Sequence, residues 1–306
     1  MPVVRRLAAL TALLGPILVP GLGGGSGASH DMLPGPDAAV TRAAIAIEPS
    51  AGFKLWSPGH GPRTGFYPAT SDRELLLSFD DGPDLRGTPL ILDELDRRGI
   101  KAIFFVTGWR LLGQRPDDVA RRDLVRKIAA HGHLVANHTM NHHDLCQNPD
   151  KQAEEIDANT ELIAQTTGVR PLLFRSPYGA YCQSLDAALT ARQLPEIGWN
   201  IDPQDWKRDN EDAVYAYLIN KVSQLKGRGI MLLHDTHAAS VHALPRMLDW
   251  LARENARAVR EKRAPVNLID YSVVVPRRGI TPSGLPELMG ALYGEAAGSV
   301  GRYLPN

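Results

Sequence analysis

The feature that most constrains the fold is a regular alternation of short apolar runs and amphipathic stretches that begins near residue 74. The apolar runs are short enough to be buried strands, and the stretches between them carry apolar residues at helical spacing. The predicted strands are 75–79, 102–106, 133–136, 172–174, 196–200, 230–233 and 266–269. The predicted helices are 88–98, 119–130, 151–167, 185–192, 212–225 and 243–261. Strands that alternate with helices in this way predict an α/β fold whose parallel sheet closes like a barrel.

The first 28 residues are predicted to be a signal peptide that precedes the fold. Arg5 and Arg6 come before an apolar run at 7–22, and small residues at 26–28 offer a cleavage site. Two prolines interrupt the run, which argues against a membrane-spanning helix, and no other stretch reaches spanning length. The sequence therefore predicts export to the periplasm or the medium.

The remaining chain divides by composition into three parts. Residues 29–70 are rich in Gly, Pro, Ser and Ala and predict an irregular lead-in, 71–275 carry the α/β pattern, and 276–306 form a Gly- and Pro-rich tail. The chain has 34 basic and 34 acidic side chains, so its formal net charge is zero. That balance argues against a nucleic-acid-binding protein, which normally has a basic surplus.

Polar side chains follow five of the predicted strands directly, and in a parallel α/β fold the carboxyl ends of the strands meet at one rim. The segments are Asp80-Asp81-Gly82-Pro83, His138 to His142, Arg175 to Gly179, Asp202 to Trp206, and His234-Asp235. Each segment alone has an ordinary structural interpretation, as a turn or a helix surface. Their convergence on one rim favours an active site.

The residue types point to metal-assisted hydrolysis of an acyl bond. Two histidines and one carboxylate make a three-ligand site with an open position, which is typical of hydrolytic zinc. Such a metal makes bound water acidic and polarises a carbonyl. A second aspartate is available as general base, a further histidine as general acid, and Arg175 to orient the base.

These five segments, with Ser78-Phe79 before the first and Leu232-Leu233 before the last, resemble the five ordered motifs of the polysaccharide deacetylases. This family is also called the NodB-homology domain or carbohydrate esterase family 4. The resemblance covers roughly residues 72–272. It implies a distorted (β/α)7 barrel that removes acetyl groups from N-acetylated sugars.

The resemblance also implies roles for individual residues. Asp81, His138 and His142 would bind a divalent metal, with zinc expected and cobalt as an alternative. Asp80 would be the general base and His234 the general acid.

The other implied roles concern orientation and the substrate pocket. Arg175 and Asp202 would tune the base and the acid respectively, and the backbone N–H of Tyr178 would help stabilise the oxyanion. Trp206 and Leu232 would shape the pocket for the acetyl methyl group.

Two departures from the family pattern and two cysteines complete the site region. Ser78 stands where threonine is commoner, and His143 stands where proline is common and is expected to face solvent. Cys146 lies four residues past His142, and Cys182 lies four past Tyr178. If both motifs converge on one metal, the two thiols are neighbours, but the sequence leaves open whether they form a disulfide or are unrelated buried thiols.

The leading hypothesis is an exported, metal-dependent deacetylase acting on a glycan such as peptidoglycan, a chitin-like polymer or poly-N-acetylglucosamine. The same residues would serve an O-acetyl esterase on xylan or a hydrolase of a non-sugar amide. A non-catalytic carbohydrate-binding protein is a third hypothesis, but it predicts a lost ligand, base or acid, and all five are present. The sequence does not define the oligomeric state.

Overall fold

Strands and helices alternate along the chain as the apolar pattern predicts. The computed structural model describes residues 72–275, and the predicted signal peptide, lead-in and tail lie outside the described residues. The strands are β1 (Arg73–Asp80), β2 (Ile103–Val106), β3 (Leu134–Asn137), β4 (Arg228–His234) and β5 (Val266–Leu268). The α-helices are α1 (Gly87–Arg97), α2 (Pro116–Ala130), α3 (Gln152–Thr167), α4 (Gln183–Ala191), α5 (Glu211–Ser223) and α6 (Ala238–Arg260).

All pairings between these strands are parallel. The order across the sheet is β3-β2-β1-β4, and β5 pairs with the first residues of β1. Parallel neighbours need a crossover connection, and the helices between the strands supply it. As a result, the carboxyl ends of β1, β2, β3 and β4 lie at the same rim.

The strands predicted at 172–174 and 196–200 are not regular strands in the structure. They contribute isolated parallel bridges only, from Phe174 to Asn137, from Phe174 to Glu196, and from Ile201 to Met231. In the second segment, the Arg175 guanidinium donates to the carbonyl oxygens of Ile197 and Gly198, so a side chain rather than a neighbouring strand occupies these acceptors. These single bridges continue the strand order from β3 round toward β4 without forming a continuous ladder.

The two faces of the strands have different partners because side chains alternate along a strand. Leu75, Leu77 and Phe79 of β1 belong to the larger core cluster, which packs against the helices. Leu76 belongs to a second cluster together with Phe105 and residues of the other strands and bridging segments. We call these the outer and inner faces, and Ser78 and Asp80 lie on the inner face.

The turn between β1 and α1 is fixed by hydrogen bonds to the Asp84 carboxylate and by one glycine. The Asp84 carboxylate accepts hydrogen bonds from the amides of Arg86 and Gly87, both at 2.9 Å, and so satisfies donors at the start of α1. A Cβ atom on Gly82 would overlap the carboxylate of buried Asp235. Only glycine therefore fits immediately after Asp81.

Within residues 72–275, none of the helices combines the length and apolar character needed to cross a membrane.

Replacing Leu77 by alanine is expected to lower the free energy of unfolding by about 2 to 5 kcal/mol. Leu77 is fully buried in the outer-face core, so truncation removes its apolar contacts and leaves a cavity. Leu90→Ala is the control, because Leu90 is 54% exposed on α1, and its expected effect is within about 0.5 kcal/mol. Urea unfolding followed by tryptophan fluorescence measures both, and equal midpoints would contradict the placement of Leu77.

Candidate active site

The rim formed by the carboxyl ends of β1, β3 and β4 brings the predicted site residues together. The register of β1 and β4 sets Asp80 opposite His234, and both side chains are buried. His138 follows the last residue of β3 directly. The site is therefore built from three strand ends that the parallel sheet holds side by side.

Three side chains at this rim could hold a metal ion. Ligand atoms of Asp81, His138 and His142 all lie within 4.8 Å of one another. Asp81 Oδ1 is 3.4 Å from His138 Nε2 and 3.0 Å from His142 Nε2. The same oxygen is buried without a hydrogen-bond partner, which is unfavourable unless a cation compensates it. One carboxylate and two imidazoles are a donor set that suits zinc, so these residues fit a divalent metal.

The second nitrogen of each imidazole is engaged away from the cluster. His138 Nδ1 donates to the carbonyl oxygen of Arg175 at 2.7 Å, and His142 Nδ1 lies 3.2 Å from the Tyr178 hydroxyl. A donor at Nδ1 selects the tautomer in which Nε2 carries the lone pair. His138 Nε2 thus faces Asp81 in the form that binds a metal.

The electrostatics of the cluster favour positive charge between Asp81 and the two imidazoles. Burial disfavours the Asp81 carboxylate, but His138 and His142 outweigh that effect and hold its pKa below the usual value. Burial likewise disfavours a charged His138, yet Asp80 and Asp81 raise its pKa. The two aspartates therefore concentrate negative potential at the position of the three ligand atoms.

Asp80 is held by a fully buried arginine. Arg175 Nη1 donates to Asp80 Oδ1 at 2.7 Å and to Ser78 Oγ at 2.9 Å. Ser78 Oγ in turn donates to the carbonyl oxygen of Met231 at 2.8 Å. Serine therefore keeps the hydroxyl that the expected threonine would supply. Because Oδ1 of Asp80 is engaged, Oδ2 is the atom turned toward the cluster, 3.6 Å from His138 Nε2.

The partner of His234 is Asp205, so the assignment of that role to Asp202 is wrong. His234 Nδ1 donates to Asp205 Oδ1 at 2.8 Å, and the His234 amide donates to Oδ2 at 2.8 Å. The Asp202 carboxylate instead accepts the backbone amide of Gln204. Gln204 has a left-handed conformation with φ of 53°, and after this turn the buried carboxylate of Asp205 lies against His234. The sequence does contain a second candidate for this role, because the Asp-Pro-Gln-Asp segment ends in a second aspartate.

This pair keeps His234 protonated. Burial would lower the His234 pKa, but the hydrogen bond and charge of Asp205 raise it to about 9. Burial would raise the Asp205 pKa, but the hydrogen bond from His234 holds it below its usual value. His234 Nε2 lies 3.9 Å from Asp81 Oδ2. A protonated imidazole thus faces the cluster from the side of β4.

Several non-glycine residues at the rim have left-handed backbone conformations. The φ angles are 71° at Asp81, 68° at Thr139, 60° at His142 and 60° at Tyr178. This region is unfavourable for side chains with a Cβ and costs on the order of 1 kcal/mol or more per residue. Gln204, described above, adds a fifth such position directly before Asp205. The surrounding hydrogen bonds must therefore hold these turns in place.

The two predicted pocket residues differ in exposure. Trp206 is 50% exposed, and Lys207 Nζ lies 4.3 Å from the centroid of its ring. Leu232 is 3% exposed and is paired with Ser78 in the β1–β4 register. Their contact with an acetyl group remains a prediction, as does the oxyanion role of the Tyr178 amide.

His143 is more engaged than the sequence suggested. It was expected to face solvent, but its Nδ1 donates to the buried carboxylate of Glu155 at 2.7 Å. Sequence reasoning also missed Glu155, since no local pattern connects a residue on α3 with the histidine loop.

Cys146 and Cys182 form a disulfide. It joins the segment after His142 to the segment after Tyr178, and both cysteines pack on a small core cluster that includes Leu145 and Leu185. A covalent link therefore ties two of the loops that bear the candidate site.

Comparisons with known proteins agree with this arrangement. The family model for polysaccharide deacetylase matches residues 68–195. A chitooligosaccharide deacetylase of Bradyrhizobium sp. (strain ANU 289) is 32% identical over 175 residues, which cover 56% of this chain and 75% of the relative. A peptidoglycan-N-acetylglucosamine deacetylase of Bacillus cereus is 32% identical over 191 residues, covering 61% of this chain and 66% of the relative.

A solved structure has the same architecture. A family 4 carbohydrate esterase from Streptomyces lividans, in complex with acetate, matches with a TM-score of 0.55 and 27% identity. The match covers 67% of this chain and 96% of that protein. The likeness extends over nearly all of the esterase chain and supports the barrel-like interpretation of the sheet.

Removing the disulfide with the Cys146→Ser/Cys182→Ser double variant is expected to destabilise the protein by about 3 to 4 kcal/mol. The bond closes a loop with a sequence separation of 36 and so restricts the unfolded chain. Urea unfolding of the wild type, oxidised and reduced, and of the double variant measures the effect. The variant should match the reduced wild type, and a midpoint equal to the oxidised form would contradict the prediction.

Asp205→Asn is expected to lower the His234 pKa from about 9 toward the ordinary histidine value of about 6.5, because the imidazolium loses its counter-charge. NMR titration of the imidazole in metal-free protein measures the shift. The raised pKa also means that this pair stabilises the fold fully below about pH 6.5, and that the stabilisation is lost as pH rises through about 9. Asp202→Asn is the comparison, and a larger fall in that variant would contradict the pairing with Asp205.

Proposed function

The chain belongs to the polysaccharide deacetylase family, and we propose that it is a metal-dependent hydrolase that removes N-acetyl groups from a glycan containing N-acetylglucosamine. Its fold is the α/β, NodB-like distorted (β/α)7 barrel of that family. The observation that carries the proposal is the cluster of Asp81, His138 and His142, flanked by an oriented carboxylate and a protonated imidazole.

The substrate class is inferred from the relatives. The two relatives described above are named as a chitooligosaccharide deacetylase and a peptidoglycan-N-acetylglucosamine deacetylase. Both substrates contain the same N-acetylated sugar. We infer that this chain acts on peptidoglycan, a chitin-like polymer or poly-N-acetylglucosamine.

Asp80 is the proposed general base. Arg175 Nη1 donates to Oδ1 at 2.7 Å and orients the carboxylate, so that Oδ2 is placed to accept a proton from the attacking water. As that proton moves to Asp80, the water oxygen bonds to the acetyl carbon. When bound, the divalent metal, zinc in this proposal, would polarise the acetyl carbonyl and increase the acidity of water.

His234 is the proposed general acid. Its raised pKa means that the imidazole is protonated at neutral pH, and Asp205 holds it through Nδ1, so that Nε2 faces the cluster. As the C–N bond breaks, the amine nitrogen takes the proton from Nε2, and the free amine leaves together with acetic acid, which ionises to acetate in water. The Tyr178 amide is the proposed donor to the oxyanion, while Trp206 and Leu232 are proposed to surround the methyl group.

Export is proposed from two observations on different parts of the chain. The predicted signal peptide lies outside the described residues, and the Cys146–Cys182 disulfide is a bond typical of oxidising compartments. Both support a periplasmic or secreted enzyme.

The test is acetate release from chitopentaose and from purified peptidoglycan by metal-stripped protein, with and without added zinc or cobalt. We expect release only with metal, and a loss of about 100-fold or more in Asp80→Asn, which removes the base. Asp93→Asn, which changes an exposed aspartate on α1, is the matched control and should behave as wild type.

Each other outcome would exclude part of the proposal. Acetate release from acetylated xylan alone would indicate an O-acetyl esterase. Binding of the glycan without hydrolysis by metal-loaded protein would indicate a carbohydrate-binding protein. Failure of the wild type to bind zinc or cobalt would contradict the ligand assignment itself.

A further inference from the structure

The loop that carries both candidate histidine ligands is held from one side by helix α3. The Glu155 carboxylate accepts the Asn141 amide at 2.7 Å through Oε2 and Asn141 Nδ2 at 2.8 Å through Oε1. Oε1 also accepts His143 Nδ1 at 2.7 Å. The backbone oxygen of Glu155 accepts the Met140 amide at 3.0 Å. One residue of α3 thus contacts three loop residues, Met140, Asn141 and His143, on both sides of the ligand His142.

Burial makes these contacts essential for Glu155. The residue is 2% exposed, and a buried carboxylate is strongly unfavourable unless donors satisfy it. Among the residues that the structure describes, its one ion pair is with His143. Both oxygens are engaged by the loop, so Glu155 is not itself placed to bind a metal. Its carboxylate is satisfied only when the loop has the observed conformation.

A second set of contacts fixes the other end of the loop. One turn further along α3, Asn159 Nδ2 donates to the carbonyl oxygen of Val106 at 2.9 Å and to Asn137 Oδ1 at 3.0 Å. Asn137 Oδ1 also accepts the Thr139 amide at 2.8 Å. The loop is thereby anchored to α3 directly after His138 and again on both sides of His142.

The loop needs such anchors because its own backbone is strained. Thr139 and His142 have φ angles of 68° and 60°, and the His142 amide donates to Thr139 Oγ1 at 2.9 Å. Conformations of this kind persist only where surrounding contacts maintain them. If the anchors were lost, the loop would relax toward ordinary backbone angles, and His142 would move relative to His138 and Asp81.

We propose that Glu155 is a positioning residue for the candidate metal site, and that it sets metal affinity by fixing His142 relative to His138 and Asp81 through Asn141 and His143. The inference rests on the proposed function in that these three residues are taken as the ligands. It adds a residue outside the five motifs, and it gives His143 a role in supporting the loop.

The test is zinc binding by metal-stripped, disulfide-intact protein, measured by calorimetry without substrate. Glu155→Gln keeps the size of the side chain, but its amide nitrogen cannot accept the donors of the loop. We expect the zinc Kd to rise by about 10- to 100-fold, the range for residues that orient metal ligands. Glu154→Gln is the matched control, because Glu154 is the preceding residue of α3 and is exposed, and its Kd should stay within about twofold of wild type.

The absorption spectrum of the cobalt-loaded protein gives a second reading that a general loss of stability would not change. Glu155→Gln should alter the d–d bands, since the histidines would meet the metal at a different angle, and Glu154→Gln should not. His143→Ala removes only one of three donors from a partly exposed position. It should weaken zinc binding less, by roughly three- to tenfold, about the effect of one hydrogen bond.

The outcomes separate this inference from the proposed function. A wild type that binds neither zinc nor cobalt would overturn both. A wild type that binds metal and a folded Glu155→Gln with unchanged Kd and spectrum would overturn the positioning role alone. If Glu155→Gln does not fold, His143→Ala decides, and unchanged zinc affinity and an unchanged cobalt spectrum in that variant would overturn the positioning role.

Discussion

The buried ion pair between Arg175 and Asp80 is the interaction on which the rest of the site depends. A fully buried guanidinium is costly, and here four acceptors on Ser78, Asp80, Ile197 and Gly198 compensate it. The carbonyl oxygen of the same arginine fixes the tautomer of His138. The Arg175 side chain therefore orients the proposed base and binds the carbonyl oxygens of Ile197 and Gly198, in a segment that forms no continuous ladder. The backbone of Arg175 orients the proposed ligand His138. Removing either partner would leave an unpaired buried charge, which typically costs about 3 to 5 kcal/mol.

Because side chains alternate along the strands, the residues that stabilise the fold and the residues of the proposed active site lie on opposite faces of the sheet. On β1 the outer-face residues Leu75, Leu77 and Phe79 form the core with the helices, whereas Ser78 and Asp80 lie on the inner face that leads to the rim. In the register with β4, Ser78 pairs with Leu232 and Asp80 with His234, so these two residues of β4 also lie on the inner face. A shift of one residue in this register would exchange the two faces, so the hydrophobic core is what specifies the position of the proposed base and acid.

A structural feature could be predicted from the sequence when it depends on residues that are close together in the chain. The residues that follow β1, β3 and β4 were predictable, because strand ends are local features and parallel topology brings them together. The segments 172–174 and 196–200 are not regular strands: they make single bridges only, and the carbonyl oxygens of Ile197 and Gly198 accept from the Arg175 side chain rather than from a neighbouring strand. The choice between Asp202 and Asp205 depended on one left-handed residue between them, and the contact of Glu155 with the loop depended on the packing of α3.

The left-handed residues at the rim have a consequence for anyone who engineers this protein. Asp81, His142, Tyr178 and Gln204 occupy backbone conformations in which glycine is more stable than any residue with a Cβ, although two of them are proposed ligands. A selection for heat resistance alone would therefore favour substitutions at these positions that relieve the backbone strain but remove side chains of the proposed active site. Thermostable libraries of this fold are best built with the rim held constant and variation confined to the outer face of the sheet and the helices that cover it.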